Sequence, residues 1–293
     1  MKTRNILIFS KLQFLVLAAT STVGLLGFCW PFLISTQVSH PQWIFLCATP
    51  LALALFLISV SNGSLDAKSV ALLALLSALV AALRPLGTGA VGLEPMWFLL
   101  ILSARVFGPS FGFLLGALSM LLSALITGGT GPWLAYQCFA AAWIGLGVGL
   151  LPRKVRGKKE IALLVLYGIL AAEFFGIAMD LQFWPWYLGV DSQLSFTAGA
   201  PISANLNNFL SYHFLSAMAW DIPRAIFTSV LIILTGAPVL GALRRAHTRA
   251  AFLSPIEFRN LTTSERAMGK MATKLQLPKM CDLAHLSLLH HLR

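Results

Sequence analysis

The chain has 293 residues, of which 58% are hydrophobic and 11% charged, with a mean hydropathy of +0.82. Soluble domains carry about 25% charged residues, so a water-soluble fold is excluded and an all-α integral membrane protein is expected. The net charge of +11 is no argument for nucleic acid as a partner, because the basic residues sit mostly in the tails and one loop, as they do in the cytoplasmic flanks of membrane helices.

A hydrocarbon core of about 30 Å takes about 20 apolar residues to cross. The N-terminal run MKTRNILIFSKLQFLVLAATSTVGLLGFCWPF is similar to a signal peptide. Its apolar stretch is long, however, and no small-residue cleavage site precedes Trp30 and Pro31, so it reads as a retained first span. Candidate spans follow at 12–36, 43–60, 67–84, 95–107, 109–127, 133–151, 161–180 and 223–241. The fourth is short, and only the turn Gly108-Pro109 separates it from the fifth. A further apolar segment, 206–220, carries Asn207, Asn208 and His213 and breaks at Asp221 and Pro223. It is either a surface lid or the first half of a long kinked helix. The stretch 250–293 is basic without an apolar period and is expected to be a cytoplasmic tail lacking order. Cys29, Cys47, Cys138 and Cys281 show neither CxxC nor metal-like spacing, so no disulfide framework is read.

Lys and Arg in short loops set the orientation. Lys2, Arg4 and Lys11 precede the first span, Lys68 follows the second and Arg105 ends the fourth. Arg153, Lys154, Arg156, Lys158 and Lys159 lie between the sixth and seventh, and Arg244, Arg245 and Arg249 follow the eighth. Eight spans put all of these on one side, with both termini inside. Three segments then face outward: 84–95, 127–133 and 181–205.

The outer loops RPLGTGAVGLEP and TGGTGPW are rich in Gly and Pro and carry one Arg, one Glu and one Trp, a chemistry suited to the mouth of a binding site. Arg84 and Glu94 bracket the first and can pair across it. Trp133, Tyr136 and Gln137 share one helical face and suit contact with an organic ligand. Trp97, Trp184, Trp186, Tyr187 and Trp220 also crowd this side, where an interfacial aromatic belt is the ordinary explanation. Glu173 and Asp180 are seven apart on one face of span seven, and Asp221 and Arg224 are spaced to pair on one helix. Ionisable groups inside a membrane tend to face cavities or partners. Ala67, Ala71, Ala74, Ala78 and Ala82 repeat a small-residue spacing that admits a second helix, either within the chain or from another protein. Gly112/Gly116 and Gly145/Gly149 repeat it too, more simply as internal packing. No HExxH, DDxxD, GxSxG or P-loop motif is present, so no enzymatic activity is expected.

The run from about 67 to 245 resembles the substrate-binding S components of energy-coupling factor (ECF) transporters, of an actinobacterial type. The residues that carry the resemblance are RPLG (84–87), GLEP (92–95), ARVFGPSFGFLLG (104–116), TGGTGPW (127–133) and WDIPRA (220–225). The resemblance implies a six-helix core at 63–249, preceded by a two-helix membrane addition at 1–62 and followed by the tail. It implies a cell-membrane protein that binds a vitamin or related micronutrient outside, in a site made by the three outer segments and the outer ends of the later helices. Arg84, Glu94, Trp97, Trp133, Tyr136, Gln137, Glu173, Asp180, Trp184, Asn205 and Asn208 are the candidate ligand contacts. It also implies docking of a transmembrane T component on Ala67, Ala71, Ala74 and Ala78, with two ATP-binding-cassette ATPases driving inward toppling. No cofactor is expected. Metal-transporting relatives use an N-terminal Met-x-His chelate that Met-Lys-Thr does not supply, so the reading favours an organic ligand, first a corrinoid such as cobalamin, and no metal residues. A self-sufficient proton-coupled transporter using Glu173 and Asp180 is the alternative, and a membrane-embedded lipid enzyme a remoter one.

Overall fold

The computed structural model describes residues 7, 9–33, 41–61, 67–87, 91–187, 192 and 194–252. The tail beyond 252, the end of the first expected span at 34–36, loop residues 88–90 and 188–191, and the side chains of Trp186 and Tyr187 lie outside the described residues. The described elements are all helical. They are α1 (Lys11–Leu33), α2 (Pro41–Ser61), α3 (Ala67–Leu83) running into a 3-10 turn at Arg84–Gly87, α4 (Met96–Phe107), α5 (Pro109–Thr127), α6 (Leu134–Leu150), α7 (Lys158–Tyr187), α8 (Ile202–Tyr212), and α9 (Met218–Phe252). A π-turn at His213–Ala217 joins α8 to α9 without a break, so the segment at 206–220 is the first part of a long irregular helix. Five stretches are long and apolar enough to cross a bilayer, and Cys47–Ile58, Met96–Phe107 and Leu134–Leu150 are shorter apolar helices. Leu51, Leu75, Leu125, Leu170 and Leu234 stand exposed on the outer surface, as side chains facing lipid do.

The short fourth span is the centre of the bundle. Met96, Trp97 and every residue from Leu100 to Phe107 are buried, as expected of a helix that is apolar all round. At 1.5 Å per residue α4 is only about 18 Å long, against about 28 Å for α5. Gly108, at φ 100°, links the two directly, and Pro109 opens α5, a position where its missing N–H costs nothing. Since α4 and α5 are antiparallel neighbours joined by one residue, α4 starts about 10 Å short of the far end of α5. Residues 91–95, which lead into α4, therefore lie below the far end of α5.

The glycine repeats form the seam between α5 and α6. A Cβ on Gly112 would strike the Gly145 carbonyl, and one on Gly116 the Ala141 carbonyl; the two backbones touch because neither carries a side chain there. The α1–α2 hairpin lies on α6, where Gly24 faces Phe139 and Trp143 and Gly27 faces Tyr136. Trp143 Nε1 donates to Ser21 Oγ at 3.1 Å. On α3, Leu73, Leu76, Ser77 and Val80 face the core, whereas Ala67, Ala71, Ala74 and Ala78 remain exposed.

At one end of the bundle Arg105, Arg153, Arg156 and Arg244 lie close together. Buried Arg105 donates to Glu160 Oε1 at 2.8 Å and to the carbonyls of Leu151 and Pro152 at 2.9 Å and of Val155 at 3.1 Å. Arg244 reaches the same carboxylate at 2.6 and 2.7 Å. Arg105 and Arg244 thus meet at one carboxylate, with Glu160 tying α4, α7 and α9 together.

Candidate functional site

A second set of ion pairs lies away from this end, around Arg224 and His213. The loop before α4 supplies Glu94, whose Oε2 accepts from Trp97 Nε1 at 2.6 Å and from Arg224 Nε at 3.0 Å. Burial pushes the Glu94 carboxyl up, but the Arg224 charge and these two hydrogen bonds outweigh it, and the group sits below its usual range. Arg224 also pairs with Asp221 one turn earlier and lies 5.2 Å above the Phe175 ring, which meets Trp97 at 4.5 Å between centroids.

Arg84 and Glu94, expected to pair across the loop, take different partners. Arg84 Nη2 donates to Gln137 Oε1 at 3.2 Å and Nη1 to Ser123 Oγ at 3.5 Å. The 3-10 turn after α3 aims the guanidinium over the ends of α5 and α6, while Glu94 faces α9. The two ends of the loop before α4 are thus held by different neighbours, Arg84 by α5 and α6 and Glu94 by α9.

A second polar group stands on α7. His213 Nδ1 lies 2.7 Å from Asp180 Oδ2 and Nε2 lies 2.9 Å from Glu173 Oε1. The two acids do share a helical face, and what joins them is a histidine outside the eight counted spans. Its signal in the sequence is slight: a lone imidazole in an apolar segment, eight residues before Asp221. Asp221 itself packs on Gly176, where an added Cβ would collide with the carboxylate.

A family model described as the ECF-type riboflavin transporter, S component, matches residues 64–245. The chain belongs to this family. No curated protein and no solved structure matches it. As an S component it is the substrate-binding subunit of an ECF transporter, a multi-pass protein of the cell membrane, and its family is one of transporters and not of enzymes.

The other candidate contacts of this S component divide by burial. Arg84, Glu94, Trp133, Gln137, Glu173, Asp180 and Asn208 are partly exposed, whereas Trp97, Tyr136, Trp184 and Asn205 are buried. Trp133 stacks on Phe183 with centroids 6.1 Å apart. Tyr136 packs edge-on against Phe28 of α1 at 4.9 Å, so the shared face with Trp133 and Gln137 serves three different neighbours. Trp184 Nε1 donates to the Leu194 carbonyl at 2.6 Å. Asn205 holds the Thr197 backbone through both its N–H and its C=O, at 3.0 and 2.9 Å, and Asn208 donates to the Ser195 carbonyl at 3.1 Å. These three side chains pin the third outer segment onto α7 and α8. Phe32 and Trp30 of α1 cover it from the other side, against Trp184 at 6.0 Å and Phe196 at 5.5 Å. Elsewhere, an apolar cleft of about 310 Å³ between α6 and α7 is lined by Trp143, Ile144, Tyr167, Leu170, Ala171 and Phe174. None of the candidate contacts borders it.

Proposed function

We propose that this S component captures riboflavin, or a closely similar flat aromatic vitamin, at the loop before α4. The observation that carries the reading is a set of polar groups at the two ends of the loop before α4, Arg84–Gln137 and Glu94–Arg224, together with the Trp133–Phe183 stack at the start of α6. A flat ring system with carbonyl and N–H groups along one edge is complementary to an aromatic face flanked by guanidinium and amide groups. The name of the matching family supports a flavin; nothing comparable supports the corrinoid first expected from the sequence. Trp97 and Tyr136 shape the site from behind, and Trp184, Asn205 and Asn208 hold the third segment as the rim.

Delivery inward requires a T component and ATPases, as for S components generally. The exposed face of Ala67, Ala71, Ala74 and Ala78 suits close approach of a partner helix. We further propose that residues 63–249 form the transport core and that 1–62 is an addition braced on α6.

Quenching of flavin fluorescence on titration of the purified chain tests the ligand. Saturable quenching is expected, with Arg84→Ala weakening it about 10-fold or more, the loss of one hydrogen bond from a charged group. Saturable binding of cobalamin with none of riboflavin would overturn the flavin reading. Uptake by vesicles holding this chain alone, driven by a proton gradient, would favour the secondary-transporter alternative that the Glu173–His213–Asp180 contact keeps in view.

A further inference from the structure

We propose that Glu173, His213 and Asp221 form a binding site for a first-row divalent metal ion, adjoining the organic ligand site through Arg224. One ligand atom from each of the three lies within 4.8 Å of the others. Glu173 comes from α7, His213 from the π-turn and Asp221 from α9, so the ion would clasp α7 to the irregular start of α9.

The chemistry of the imidazole makes the case. A neutral ring has one N–H. Donated from Nδ1 to Asp180, it leaves a lone pair on Nε2 facing the Glu173 carboxylate at 2.9 Å. Two electron-rich atoms at that distance need a proton or a metal cation between them. The separation is that of adjacent ligands at right angles around an ion with bonds of about 2.1 Å. Asp180 then has the role that a carboxylate plays behind a metal-bound histidine: it fixes the tautomer and the ring orientation.

A second proton on His213 would also supply charge, but it leaves two observations unanswered. Asp221 is 2% exposed, and its Oδ2 has no hydrogen-bond partner although Oδ1 holds Arg224. Gly176 seats this carboxylate on the face of α7 between Glu173, three residues before, and Asp180, four residues after, so the orphan oxygen belongs to the cluster. A buried ionised oxygen without a partner is costly. The second observation is charge. Glu94, Glu173, Asp180 and Asp221 outnumber Arg224 and the nearby Arg84, and an imidazolium does not make up the difference; a divalent ion beside a neutral imidazole does. One imidazole nitrogen with carboxylate oxygens suits Zn²⁺, Co²⁺ or Mn²⁺. Glu173 keeps 39% of its side chain exposed.

The test uses the full chain, stripped with chelator and titrated with Co²⁺ alone, followed by Zn²⁺ competition. One ion per chain is expected, with Glu173→Gln and Asp221→Asn each weakening Co²⁺ at least 10-fold and Asp180→Asn weakening it about 10- to 100-fold. The tail carries His285, His290 and His291, so the titration is repeated with these changed to Ala. Retained binding supports the site, and loss of binding overturns it. Absence of stoichiometric binding, or binding unchanged in Glu173→Gln, also overturns it. Since Asp221→Asn disturbs Arg224 and can unfold the chain, the deciding measurement is on the wild type. With ¹⁵N-labelled histidine, Zn²⁺ should shift the His213 Nε2 resonance, and an unmoved resonance refutes the proposal.

Discussion

Replacing Glu160 with Gln tests how α4, α7 and α9 are held together at the Arg105 end of the bundle. Glu160 is 1% exposed and accepts from both Arg105 and Arg244. Removing one partner of a buried ion pair costs about 3–5 kcal/mol, because the other charge is left uncompensated. Two features lower that figure here. Arg105 keeps its three carbonyl acceptors, and the Arg244 side chain, at 33% exposure, recovers hydration. Gln also retains one acceptor oxygen. The expected loss is therefore about 2–3 kcal/mol, or a fall of roughly 5–10 °C in Tm for a unit of this size. Glu160→Leu, which removes both acceptors, should reach the upper figure. Thermal unfolding in detergent, followed by tryptophan fluorescence, measures it. Flavin binding at the other end should survive at temperatures where the variant is folded. A Glu160→Gln protein within about 1 °C of wild type would refute the claim that this carboxylate ties α4, α7 and α9 together.

Gly112→Ala places a methyl group against the Gly145 carbonyl of α6 and should destabilise by about 1–3 kcal/mol, seen as a lower Tm; Gly157→Ala, whose added Cβ meets nothing, should cost no more than the strain of its positive φ. Ala74→Trp should abolish co-purification with the T component and leave flavin binding intact, and unchanged co-purification would count against that face. Glu94, depressed below its ordinary value of 4.5, should lend stability that is fully present above that value and lost as pH falls through its folded-state value. Tm measured down through this window should drop more for wild type than for Glu94→Gln, and parallel curves would show that the Glu94–Arg224 pair contributes nothing.

The all-helical membrane architecture and the positions of the apolar helices were legible in the sequence, because a bilayer imposes length and hydrophobicity on every crossing segment. The glycine seam was legible for a similar reason: Gly112, Gly116 and Gly145 recur at a spacing that the helical period alone converts into one face. Even the pairing of Asp221 with Arg224 followed from their positions on one helix. Tertiary structure alone decided the pairings between helices. Glu94 takes Arg224, 130 residues away, in place of the nearer Arg84; Glu160 holds Arg105 and Arg244, 55 and 84 residues away; and His213 is set between Glu173 and Asp180 by a π-turn that no periodicity marks. The hydrogen bonds by which Trp184, Asn205 and Asn208 brace the third outer segment were not legible either, since an indole or amide is equally suited to holding a loop and a ligand. Local period and burial are written along the chain, whereas the choice among chemically equivalent partners depends on which helix ends the packing brings together.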